Sequence, residues 1–238
     1  MVQVAFEGQE LEAPRTLRIR FCKTGTLQYI SHLDLMRTMT RVMARAHLPI
    51  RYTGGYSPKP HLVFSAPLPV GAQSPREFVD VAVLREIDPA AVVARLNEGL
   101  PADLAVEEAY YATTKLTDAI AAEYVLSICT NGASATLAVE CASHLADRPM
   151  TVLKKTKSGE KDVDISGAIL QSEAVYDETE NRLVLTVRLA AEGGSFLNPD
   201  YIIKYLQKTA GILQGSVYEE WYTVVRTHLF NQNGEDFF

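Results

Sequence analysis

Arg37, Arg41 and Arg45 recur every four residues in the stretch HLDLMRTMTRVMAR, and Arg18, Arg20, Lys23, Arg51 and Lys59 lie to either side of them. Cations at helical spacing can track a chain of phosphates, and rings placed among them can stack on bases. Tyr29, Tyr52, Tyr56 and His61 are rings so placed. Between Arg15 and Phe64, nine Lys and Arg stand against a single acid, Asp34, a local charge of +8 in a chain whose net charge is −6. Such asymmetry points to an anionic partner for one face, with the acidic remainder keeping the protein in solution. The alternative is a solvated helix face, but solvated helices interleave Glu with Arg and this one does not. The expected RNA-contacting set is therefore Arg18, Arg20, Lys23, Arg37, Arg41, Arg45, Arg51, Tyr56 and Lys59.

Other chemistry is less well marked. In GGSFLNPD, the residues Gly193, Gly194 and Ser195 form a turn that feeds a capped helix, a place where exposed amides favour an anion and also an ordinary strand-to-helix connection. His32 and His61 have Arg and Tyr nearby and are the candidates for acid or base work on RNA. His32 also follows a helix-capping serine, where histidine is commonly structural. Asp80, Asp162 and Asp164 alternate along strand-like stretches, and such acids face solvent or pair with Lys more often than they bind metal. Cys22, Cys129 and Cys141 are odd in number and far apart, with no CxxC, which indicates reduced thiols and no zinc or iron–sulfur site. Nucleophile-elbow, Walker and HExxH motifs are absent from the sequence. No metal and no cofactor is expected.

These residues need elements to hold them. LRIRFCK (17–23) alternates with the period of a half-buried strand, and a helix follows from Ser31 as N-cap towards His47, stopped by Pro49. Met36, Met39, Val42, Met43 and Ala46 read as its apolar stripe. RYTGGYSPKPH (51–61) is a long constrained loop ahead of two strands, LVFSAPL and EFVDVAV. A helix in DPAAVVARLNEGLP and a strand in LAVEEAYYA complete the order β-α-β-β-α-β, the ferredoxin-like unit. The second half repeats the order more weakly, with strands at 123–130, 151–157, 182–190 and 218–229, helices at 136–147 and 199–211, and an insertion KSGEKDVDISGAILQSEAV that carries extra hairpin or short-helix material. The fold expected is α+β, two tandem ferredoxin-like lobes at 15–113 and 120–230, the second with an insertion. No stretch approaches about 18 consecutive apolar residues, and the N-terminus lacks the basic-then-apolar order of a secretory signal, so the cytoplasm is expected and a membrane is not.

The run from Phe21 to Val81 resembles a bacterial family of unknown function, the radical-SAM-linked proteins. The resemblance rests on Phe21, Lys23, Gly25, Tyr29 to Leu35, Arg37, Arg41, the Arg45 to Pro49 segment, the YSPKP loop, LPVG with Asp80, and KDVDIS (161–166). It implies a chain encoded beside, or fused to, a large radical-SAM enzyme, which would then hold the cluster-binding cysteines missing here. In the family the loop has the order aromatic-His-Pro-Arg-Pro, whereas Ser57 and Lys59 stand here. Residues and resemblance together lead to a non-catalytic accessory that binds RNA or a ribonucleoprotein, or presents a substrate, for a radical-SAM enzyme modifying RNA or the ribosome. Two rivals are a metal-independent RNA-processing enzyme using His32 or His61, and a protein-interaction module docking an acidic partner.

Overall fold

The computed structural model describes residues 6, 8–156, 159–191 and 197–238. They form a mixed α+β protein with four α-helices and, among the described residues, antiparallel strand pairing. The chain divides into two compact units, the first ending at Asp118 and grouping with Phe238, the second running from Ala119 to Phe237.

The first unit contains β1 (Glu10–Lys23), α1 (His32–Arg45), β2 (Leu62–Phe64), β3 (Ala72–Arg85), α2 (Pro89–Asn97) and β4 (Val106–Tyr111). Its ladder runs β4-β1-β3, with β2 on β3. Alternation along β1 sends Leu17, Ile19 and Phe21 into the core, and Leu17 pairs Val81 while Ile19 pairs Val79. β1 starts well before the predicted Leu17. Its extra length takes in Pro14 within an irregular stretch between Glu10 and Arg15, where β4 does not pair, so the missing amide costs no ladder bond.

Ser31 caps α1 as expected: its hydroxyl oxygen accepts from the Asp34 amide at 3.1 Å and donates to the Asp34 carboxylate at 2.7 Å. The helix ends at Arg45, and His47 takes a φ of 52°, the left-handed turn usually given to glycine. The buried stripe of α1 is Leu35, Met39, Val42 and Met43, with Ala46 beyond it. Met36, assigned to the core from the sequence, is only half-buried, because it lies one residue, about 100°, round the helix from Leu35.

The second unit contains β5 (Ala121–Cys129), α3 (Ala135–Leu145), β6 (Thr151–Thr156), β7 (Gly159–Asp164), β8 (Ile169–Asp177), β9 (Arg182–Ala190), α4 (Asp200–Thr209) and β10 (Trp221–Phe230). Its ladder runs β10-β5-β9-β8, and among the described residues β6 pairs only with β7. The expected second strand, over its described residues Thr151–Thr156, is thus paired with β7 outside the main ladder, and β8 takes its place beside β9. β8 was hidden in the sequence because most of its residues are exposed, leaving no apolar alternation to read. Asp164 closes the hairpin by accepting from the amides of Met150 at 3.0 Å and Ser166 at 2.9 Å. The Cys141 thiol is buried in this unit and pushed up to about 11 by that burial, and all three cysteines are free.

Candidate functional site

The basic run of the sequence separates into an interior set and a surface set. Arg18 is fully buried and grips Asp80 with two parallel bonds, Nε to Oδ1 at 2.8 Å and Nη2 to Oδ2 at 2.9 Å. It also donates to the hydroxyl and the carbonyl of Thr114. Burial opposes its charge, but the hydrogen bonds and charge of Asp80 outweigh burial, and its pKa is raised. Lys23 is 2 % exposed and donates to the carbonyls of Gln28 and Ala72. Arg20 meets Glu107 at 3.5 Å and Glu108 at 3.3 Å on β4. Arg18 and Lys23 are therefore removed from the surface that could meet RNA, and Arg20 reaches it already paired. Folding brings in carboxylates from β3 and β4 that lie far away along the chain.

Helix α1 and the loop after it behave differently. Residues 51–61 fold into a finger: Tyr52 bridges Pro60, the Thr53 amide donates to Lys59 O at 2.8 Å, and the His61 amide donates to Arg51 O at 3.0 Å. Its base is tied to β3 by the Arg51 amide on Ala82 O at 2.7 Å. Gly55, at a φ of 107°, turns the tip in a conformation that a side chain would strain, and Tyr56 beside it is fully exposed. Between finger and helix runs a groove of about 400 Å³. Leu33, Met36, Pro60 and Leu62 give it an apolar lining, and Arg37, Arg41 and Lys59 give it charge.

Among the described residues, Arg41, Arg45, Arg51 and Lys59 form no ion pair, whereas Arg37 holds Asp34 at 3.1 Å. The Ser31 hydroxyl and then Arg37 keep the Asp34 carboxyl below its ordinary range. The three helix arginines do not share one surface. Each four-residue step turns about 40°, so Arg45 has rotated out of the groove and lines another cavity with His47, Arg95 and Glu98. Arg51 and His61 line a further cavity of about 480 Å³, which shares no residue with the groove.

His32 sits at the start of α1 with its ring edge-on to Phe64, centroids 5.3 Å apart. Burial lowers its pKa, partly offset by the charge of Glu77. It lines neither of these two cavities, and the structure does not bring it together with His61 in one. Gly193, Gly194 and Ser195 lie outside the described residues. Asp80 is engaged by Arg18, Asp164 by two backbone amides, and no group of three His, Cys, Asp or Glu able to hold a metal occurs among the described residues. No helix there is long and apolar enough to cross a membrane. Sequence reasoning missed Leu33, Met36, Thr40 and Leu62 as groove residues. Leu33 and Met36 could have been found as apolar residues off the Leu35–Met39–Val42 stripe.

Residues 16–199, which include the groove, the finger and the Arg18–Asp80 pair, match a bacterial family described as "Uncharacterized protein conserved in bacteria (DUF2344)". The chain belongs to the DUF2344 family. No curated protein matches it. Among solved structures, this DUF2344 chain is similar to a chain from the crystal structure of a Cbf5-Nop10-Gar1 complex, at 9% identity over 90% of its own length and 48% of that chain, with a TM-score of 0.46. It thus spans about half of that chain. DyPB from Rhodococcus jostii RHA1 matches at 11% identity over 94% of each chain with a TM-score of 0.20. Neither score is high enough to carry a function across to the DUF2344 chain.

Proposed function

We propose that the first unit binds single-stranded RNA in the groove between α1 and the 51–61 finger, as a non-catalytic accessory that presents RNA or a ribonucleoprotein to a modifying enzyme. The observation that carries this reading is the convergence of Arg37, Arg41 and Lys59 on an apolar groove, with Arg41 and Lys59 in no ion pair among the described residues. Single-stranded RNA offers what such a surface takes: phosphates for the cations and flat base faces for apolar and aromatic groups. Tyr56 at the fingertip and Tyr29 on the turn before α1 are both exposed and are suited to stacking. The element order and the strand orders β4-β1-β3-β2 and β10-β5-β9-β8 support two tandem ferredoxin-like lobes, an architecture on which RNA-binding modules are built. The resemblance to the radical-SAM-linked proteins supports a radical-SAM enzyme as the modifying partner.

Fluorescence anisotropy with a labelled single-stranded RNA tests the reading. With roughly three phosphates neutralised, affinity is expected to fall about 20-fold over a roughly fourfold rise in salt. A chain carrying Arg37→Glu, Arg41→Glu and Lys59→Glu is expected to lose both the binding and its salt dependence. A second reading, docking of an acidic protein segment, draws on Leu33, which is 52 % exposed on the groove wall and could accept an apolar side chain. Absence of RNA affinity, with capture of an acidic amphipathic peptide, favours that reading.

A further inference from the structure

The cavity lined by Arg51 and His61 is separate from the proposed RNA groove and has its own chemistry. β2 alternates, so Leu62 belongs to the groove while Val63 belongs to this cavity. Its lining includes Arg51 and His61 from the finger base and Thr113, Lys115 and Thr117 from the strap 112–117. Both segments are held through their backbone amides: the Arg51 amide donates to Ala82 O at 2.7 Å, the Ala112 amide to Thr16 O at 2.9 Å, and the Lys115 amide to the Asp118 side-chain carboxylate at 2.9 Å. Arg51 and Lys115 form no ion pair among the described residues. Asp80, the one acid among the described residues lining the cavity, has both carboxylate oxygens held by the buried Arg18. Its charge is matched there before any ligand arrives. Val63, Val81, Ala82 and Leu116 supply an apolar wall.

We propose that this cavity binds a nucleotide through a phosphate monoester, the phosphate held between Arg51 and Lys115 and the base lying on the apolar wall. A guanidinium fork, an ammonium, an imidazole and threonine hydroxyls make a donor set suited to a tetrahedral dianion, more than a single planar carboxylate needs. About 480 Å³ lies in the range of small-ligand sites and leaves room for a base as well as the phosphate. The same chemistry is offered by a free mononucleotide and by the phosphorylated end of an RNA chain.

Isothermal titration calorimetry of the full chain with adenosine 5′-monophosphate, adenosine and inorganic phosphate tests the proposal. The monophosphate is expected to bind at least about tenfold more tightly than adenosine, the loss that accompanies one hydrogen bond to a charged group. Arg51→Ala and Lys115→Ala are each expected to weaken it about tenfold. Both variants should fold, since the bonds holding these segments are made by backbone amides and not by the two side chains. An unchanged thermal midpoint checks this. Equal affinity for adenosine and its monophosphate, or wild-type affinity in the Arg51→Ala, Lys115→Ala double variant, overturns the proposal. To separate the two sources, 5′-phosphorylated and 5′-hydroxyl RNA oligomers are compared in an Arg37→Glu, Arg41→Glu background. Preference for the phosphorylated oligomer assigns the cavity to an RNA end. No preference, with monophosphate binding retained, assigns it to the free nucleotide. Because groove and cavity share no residue, loss of RNA affinity alone leaves monophosphate binding intact, and each reading can fail without the other.

Discussion

Strand β1 and helix α1 carry arginines from one continuous basic run, yet the fold treats them in opposite ways. On β1, Arg18 meets Asp80 and Arg20 meets Glu107 and Glu108, acids contributed by strands 60 to 90 residues away along the chain. On α1, Arg41 and Arg45 form no ion pair among the described residues, and Arg37 pairs with its helical neighbour Asp34. A charge count along a sequence therefore measures a surface only where the neighbours in space are also neighbours in the chain. A strand in the middle of a ladder is paired from both sides, whereas the outer face of a helix is left to itself.

Substituting arginines of both sets separates their roles. Arg18→Ala leaves the Asp80 carboxylate without its buried partner, and a loss of about 3–5 kcal/mol in folding stability is expected by denaturant titration. RNA affinity measured where the variant is still folded should hardly change. Arg37→Glu with Arg41→Glu should do the reverse, lowering RNA affinity about 100-fold through two lost charge contacts while leaving stability within about 0.5 kcal/mol. Tyr56→Ala, at the fingertip, should weaken RNA about tenfold with no change in the thermal midpoint, at the lower end of base-stacking energies. Arg20→Ala, which breaks only partly exposed pairs, should cost less than about 1 kcal/mol of stability.

The smallest effect concerns His32. Its folded pKa lies below the ordinary imidazole value of 6.5 because burial disfavours the cation. The unfolded chain therefore takes up the proton first as the pH falls. Stability is present above about pH 6.5 and declines below it, until the folded form protonates too. Comparing the thermal midpoints of the wild type and His32→Gln from pH 7.5 to 5.5 should show a shallower decline in the variant.

Much of the first unit was legible because its signals are local. Ser31 with Asp34, Asp88 followed by Pro89, and the alternation of Leu17, Ile19 and Phe21 each state an element within a few residues. The second unit was harder to read. β8 is mostly exposed, and the hairpin β6–β7 presented a convincing strand that joins no larger ladder. The site was half legible. Arg37, Arg41, Lys59 and the finger sequence stand out as charge and turn chemistry. The lining from Leu33, Met36 and Leu62, and the withdrawal of Arg18 and Lys23 into the interior, depend on contacts that no short window contains.

Ultraviolet crosslinking of a uridine-rich single-stranded RNA to the intact chain, with the adducts mapped by mass spectrometry, reads out which surface the RNA touches. Adducts on Tyr56, Lys59 and Met36 that disappear in the Arg37→Glu, Arg41→Glu variant are the predicted result. Adducts confined to the second unit, or adducts on the first unit that persist unchanged in that variant, would contradict the groove as the RNA surface.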